Sequence, residues 1–200
     1  MKHFLICMLV FLSALFGFCY YSSACCSKST NHAAIIDSID RKEILKENLQ
    51  ENLKSDLVKE VRTYILNNSK HTNILFVTEI SEHIVNRALD NRIDICFILA
   101  QGHFETAFGS YGIGRSQSKK SIFGVYKHHK TYKECIDYYI YLLRSNYLVN
   151  KTEKQLMNNF VNKNGYRYAE DRNYEYKLKN YYNKVNKSTS ISELQSKYTN

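Results

Sequence analysis

The run Phe97-Ile98-Leu99-Ala100-Gln101-Gly102-His103-Phe104-Glu105-Thr106-Ala107-Phe108-Gly109 constrains this chain most, because it is an apolar helical segment that closes on one acid and a glycine. Cys96, Ile98, Leu99 and Ala100 are apolar, and no Gly or Pro interrupts before Gly102. Residues 93–107 therefore read as a buried helix about four turns long. Glu105 falls near its C-terminal end. There the negative end of the helix dipole and the neighbours Phe104, Ala107 and Phe108 disfavour an ionised carboxylate. A carboxyl kept protonated near neutral pH can act as a general acid. The same position also suits a partly exposed helix-end residue with no chemistry, and spacing alone does not choose between the two.

Other features point to helices as well. Pro and Trp are absent and only 7 glycines are present, whereas Tyr numbers 17, so the usual turn formers are scarce and an all-β architecture is disfavoured. With 44% hydrophobic and 24% charged residues, 200 residues supply one compact domain with little left for a second.

At the N-terminus, Met1-Lys2-His3 precedes an apolar stretch from Phe4 to Phe18 broken only by Ser13 and Gly17. That is the form of a signal peptide, and it is short for a membrane span. Cleavage after Ser22-Ser23-Ala24 and lipid attachment at Cys25 both fit, the lipoprotein form being favoured, with a retained anchor as a third option. Of the 6 cysteines, Cys7 and Cys19 belong to this leader and Cys25 and Cys26 flank its processing point. Cys96 and Cys135 are left for the folded part, as two buried thiols or as a disulfide in an oxidising compartment. No zinc-ligand spacing is present, and His128-His129 lacks a third ligand, so no metal or other cofactor is expected. A net charge of +9 suits an anionic partner or a solvated Lys-rich surface. Export argues against nucleic acid and for anionic envelope polymers.

Along the rest of the chain, residues 27–40 read as a tether. Leu45, Leu49 and Leu53, then Leu57, Val61 and Ile65, recur every fourth residue, as in one long helix or two. Asn67-Asn68-Ser69-Lys70 marks a loop, and Ser81 starts a helix with Ile84, Val85, Ala88 and Leu89 inward. A polar, glycine-rich loop follows Gly109. The short apolar return Ile122-Phe123-Gly124-Val125-Tyr126 comes next, as a loop or small hairpin. Helices are predicted over 132–148, 153–162 and 171–185, ahead of a frayed polar tail.

Three segments in order carry a resemblance: Ala100-Gln101-x-x-x-Glu105-Thr106-x-x-Gly109, then Ile122-Phe123-Gly124-Val125, then Tyr168-Ala169-Glu170-Asp171-x-x-Tyr174. Together they resemble the bacterial glucosaminidases of glycoside hydrolase family 73, over roughly residues 56–186. The resemblance implies a mainly α, lysozyme-like helical domain with a short loop or small β-hairpin beside its groove. It also implies cleavage of the β-1,4 bond between N-acetylglucosamine and N-acetylmuramic acid in peptidoglycan. Glu105 would be the general acid, and Tyr168 would position sugar or stabilise developing positive charge. Gln101, Phe123, Gly124 and Tyr166 would contact substrate.

Two departures from the family pattern stand out. Lys120-Ser121 replaces an Asn pair, and no Asp or Glu occurs between Thr106 and Lys133 to act as second carboxylate, Glu134 and Asp137 being the next acids. Three routes stay open: the substrate's acetamido group as nucleophile, a water held by Tyr168 or a distant acid, or a degenerate binder. The organisation expected is a signal over 1–25, a tether and N-terminal helix over 26–55, a glucosaminidase-like domain over 56–186 and a polar tail over 187–200. The protein would be an exported, envelope-bound monomer, with a lytic transglycosylase or a wall-binding lipoprotein as the alternatives.

Overall fold

A computed structural model describes residues 41–112, 120–125 and 127–200. The leader, Cys25, the tether to residue 40, most of the glycine-rich loop and Tyr126 lie outside the described residues. The chain divides into two units, Met1–Leu49 and Gln50–Asn200. In the first, residues 41–49 are helical, with Leu45 and Leu49 exposed.

The second unit is mainly α. Its elements are α1 (50–68), α2 (Ile74–Asp90), α3 (Ile95–Thr106), α4 (Tyr132–Leu142), α5 (Glu153–Leu156), α6 (Tyr174–Ser188) and α7 (Ile191–Thr199). The four-residue spacing in α1 has its expected consequence, since Leu57, Val61 and Ile65 are fully buried. The axis of the unit is α3, buried without interruption from Ile95 to Gly102 and packed against α2, α6 and α7. A helix that is apolar all round has to be enclosed by others, and this one is. Asp94 starts it by accepting from the Cys96 amide at 2.8 Å.

Several boundaries differ from the sequence reading. Helix α2 begins at Ile74, capped by Asn73, because the Ser81 hydroxyl is turned inward onto the Val77 carbonyl at 2.6 Å and caps nothing. The helix expected over 132–148 is present as α4 and differs only in its last turn, a π turn over Leu143–Tyr147 closed by the Leu148 amide on the Leu143 carbonyl at 2.8 Å. The helix expected over 153–162 ends at Leu156, after which the chain runs out to an antiparallel bridge between Val161 and Arg167. Among the described residues, 120–125 and 127–130 form a loop without strands.

The frayed tail is a correction. Residues 191–199 form α7, whose Ile191 is fully buried. Gln195 accepts from the Ile95 amide at 2.9 Å and donates to the Ile93 carbonyl at 2.8 Å, completing the N-terminus of α3. Ile191, with Leu194 and Tyr198 packed against the core beside it, and one capping amide order a segment whose composition is otherwise polar. Cys96 and Cys135 are both buried and unpaired, as thiols. Among the described residues no helix is long and apolar enough to cross a membrane.

Candidate active site

Glu105 stands in the last turn of α3, half-buried. Burial pushes its carboxyl above the usual carboxylate range, while a hydrogen bond from the Tyr174 hydroxyl opposes that shift. The hydroxyl of Tyr174 donates to Glu105 Oε1 and accepts from Gln101 Nε2 at 2.8 Å; Gln101 Oε1 in turn accepts from the Tyr139 hydroxyl. The direction of this chain of bonds is set by the Gln101 amide. Since Nε2 can only donate, the Tyr174 proton has to point at Glu105, and Oε1 is held as an acceptor. In the neutral acid the proton therefore sits on Oε2.

That second oxygen faces Gly124, where a Cβ would lie 2.5 Å from it. Gly124 has φ +67°, so both its conformation and its nearness to the acid call for glycine. The segment that carries it is pinned from three sides. Thr106 Oγ1 donates to the Ile122 carbonyl at 2.5 Å, the Ile122 amide donates to Cys135 Sγ at 3.4 Å, and Tyr168 donates to the Phe123 carbonyl at 3.1 Å. Phe123 itself stacks on Tyr139 with ring centroids 3.9 Å apart. At the other end, Gly102 leaves room for the Phe108 ring, whose Cε1 would be 3.0 Å from a Cβ there. The chain can thus fold back after α3.

Two clefts meet at Glu105. One, of about 560 Å³, is lined by Gly124, Val125, Leu142, Tyr147, Tyr168, Ala169 and Glu170 as well as the acid. The other, of about 400 Å³, runs past Asn68, His103, Phe104, Tyr111 and Tyr181. His103 is hydrogen-bonded to Tyr64 at 2.8 Å through Nδ1, and burial together with Lys184 lowers its pKa to about 4, so it is neutral at physiological pH. A larger opening, about 760 Å³, lies at the far end of α3 beside Asp94, Glu153 and Gln195. Its two acids serve the helix terminus: Glu153 accepts from the Asp94 amide at 3.3 Å and Asp94 from the Tyr182 hydroxyl at 2.6 Å.

The residues singled out from sequence fall into three places. Glu105, Tyr168 and Gly124 share one cleft. Gln101 and Phe123 are fully buried behind it, so Gln101 acts on the acid through Tyr174, and Phe123 supports the wall with its ring and carbonyl. Tyr166 is exposed in the turn before Tyr168 and is not among the residues lining either cleft that holds Glu105. Cys25 lies outside the described residues. The sequence alone does not give the roles of Tyr174, Thr106 and Glu170. The signal for Tyr174 was its spacing six residues beyond Tyr168, which reads equally as a helix core position.

A pH prediction follows from the bond between Tyr174 and Glu105. The Tyr174 hydroxyl favours the ionised acid, so Tyr174→Phe should raise the pKa of Glu105 further. For a reaction that needs the protonated acid, the alkaline limb of the pH–rate profile is then expected to move upward. A limb that stays in place or moves down would break the assignment. The variant also strands the Gln101 amide, at a cost of about 1–3 kcal/mol of stability.

Among the described residues no group of three His, Cys, Asp or Glu side chains is placed to hold a metal ion. Comparison with family models, with curated proteins and with solved structures finds no match to this chain.

Proposed function

We propose that this protein is a peptidoglycan hydrolase of the glucosaminidase type, with a lysozyme-like helical fold, which cleaves the β-1,4 bond after N-acetylglucosamine. The observation that carries this reading is Glu105, a shielded carboxyl at the meeting point of two clefts, with the Tyr174 hydroxyl donating to its Oε1. A polymeric substrate needs room on both sides of the bond to be cut, and the acid has to reach the oxygen between two sugars. Glu105 Oε2 protonates that oxygen as the bond breaks, and general acid catalysis of this kind supplies roughly 10²–10⁴-fold in rate.

Tyr168 lines the same cleft, where its hydroxyl, which donates to the Phe123 carbonyl at 3.1 Å, keeps its oxygen for the positive charge that develops at the sugar. Tyr111, about half exposed on the other cleft, carries Lys70 Nζ over one face of its ring at 4.6 Å, which leaves the other face for sugar stacking. The order of the Gln101–Glu105, Ile122–Val125 and Tyr168–Tyr174 segments supports the glucosaminidase assignment within the wider lysozyme-like class. The apolar leader and Cys25 support export and lipid attachment at the envelope, where the net charge of +9 favours an anionic wall. The working form is a monomer.

The test is digestion of purified peptidoglycan with muropeptides identified by mass spectrometry. Reducing N-acetylglucosamine ends are expected. Anhydromuramic ends would make the protein a lytic transglycosylase, and binding without any release would make it a wall-binding lipoprotein.

A further inference from the structure

Protonation of the leaving oxygen accounts for half of a hydrolysis. The water that replaces it has to lose a proton, and no acid in the stretch after Glu105 is placed to take it. Glu134 accepts from the Lys130 amide at 2.7 Å, and Asp137 is held by His83 at 2.9 Å and Arg87 at 2.7 Å. Neither lines a cleft at Glu105.

The segment that brings Glu170 to the cleft carries three acids within six residues, and two are occupied. Asp171 is bound by Lys177 at 2.6 Å and by the Asn173 amide at 2.9 Å. Glu175 takes Arg167 at 2.7 Å and the Phe160 amide at 3.1 Å. Glu170 is different: no hydrogen bond or ion pair with the described residues engages its carboxylate, and it lines the cleft of Glu105. It is the only other carboxylate among the described residues lining the two clefts. Its backbone is fixed by Tyr168, whose amide donates to the Phe160 carbonyl at 2.9 Å and whose hydroxyl spans to Phe123 at 3.1 Å.

Resting on the glycosidase reading above, we propose that Glu170 is the catalytic base. A water in the cleft attacks the anomeric carbon on the face away from the leaving group, and Glu170 takes one of its protons. The bond from that carbon to the bridging oxygen breaks, and its electron pair goes to the oxygen, which receives the proton of Glu105. One water is consumed, Glu105 ends ionised, Glu170 ends protonated, and the new reducing end is the α anomer. Solvent exchange then restores both acids.

The test uses the full chain on purified peptidoglycan, with the anomer of the first products read by proton NMR, for wild type, Glu170→Ala and Glu170→Gln. Expected are α-anomeric products from wild type and a loss of about 100-fold or more in turnover in both variants. Binding to the wall is retained, and added azide restores Glu170→Ala with an α-glycosyl azide as product. Variants within two-fold of wild type overturn the role of Glu170 alone, as does a retained β anomer, which would assign the step to the substrate's acetamido group. A wild type that releases nothing overturns the glycosidase reading and this proposal with it.

Discussion

Glu105→Gln is expected to abolish turnover of peptidoglycan, by about 10³-fold or more, while the protein stays folded and still binds the wall. The magnitude comes from general acid catalysis, worth roughly 10²–10⁴-fold, at a position where no described group could substitute. The fold is spared because a Gln amide oxygen can still accept from Tyr174, so the relay back through Gln101 to Tyr139 keeps its terminus. Stability supplies a second readout that does not depend on activity. Burial raises the pKa of Glu105 in the folded state, so above the ordinary carboxyl range the folded form binds more protons than the unfolded one. The stability this group contributes is therefore complete at low pH and is lost as pH rises through the folded pKa. Glu105→Gln should remove that decline, leaving the variant relatively more stable than wild type at neutral pH in thermal melts across pH 4–8. Equal pH slopes for the two proteins would mean that Glu105 is not shielded. Unchanged muropeptide release would remove it from the chemistry.

What could be read in the sequence was what depends on neighbours along the chain. The buried character of α3, the inward stripe Leu57–Val61–Ile65, and the position of Glu105 in a last helical turn all follow from local pattern, and the fold agrees with them. The misses have different causes, one a bond within a helix and the other a partner far along the chain. Ser81 carries the chemistry of a helix cap, yet its hydroxyl was better satisfied by Val77 inside a longer helix. The segment after Asn186 reads as solvated by composition, yet the N-terminus of α3 needed an acceptor and Gln195 provides it from 100 residues away.

The site divides along the same line. Glu105 was legible because its place at the end of an apolar helix is set by its own segment. The orientation of its proton was not, since that depends on Gln101, Tyr174 and Tyr139, which meet only after α3, α4 and α6 have packed. Gln101 illustrates the difference: its place in the Ala-Gln pattern suggested contact with sugar, while full burial makes it a link that fixes the acid from behind. The role of Glu170 is not legible in the sequence for a related reason. Nothing in Tyr-Ala-Glu-Asp tells which of two adjacent acids will be taken by a lysine, and here it is Asp171.

The largest effect expected away from an ionisable group is at Gly124. A methyl there would be 2.5 Å from Glu105 Oε2 and 3.2 Å from its Cδ, in a backbone conformation at φ +67° that alanine adopts at a cost of about 1–2 kcal/mol. The segment cannot retreat easily, because Ile122 is tied to Thr106 and Cys135, and Phe123 to Tyr168 and Tyr139. What gives way first is the carboxylate, which would be pushed off the Tyr174 hydroxyl, and a displacement of about 1 Å at a reacting group is worth on the order of 10² in rate. Gly124→Ala is therefore expected to lower kcat by about 100-fold with wall binding little changed, together with a modest fall in Tm. Glycine elsewhere gives the control: Gly165, at φ +84° with nothing within 4 Å of a Cβ, bears the same backbone penalty without touching the acid. Gly165→Ala should lose stability and keep its turnover. If both variants lost activity in proportion to stability, the close approach of Gly124 to Glu105 would have no catalytic meaning.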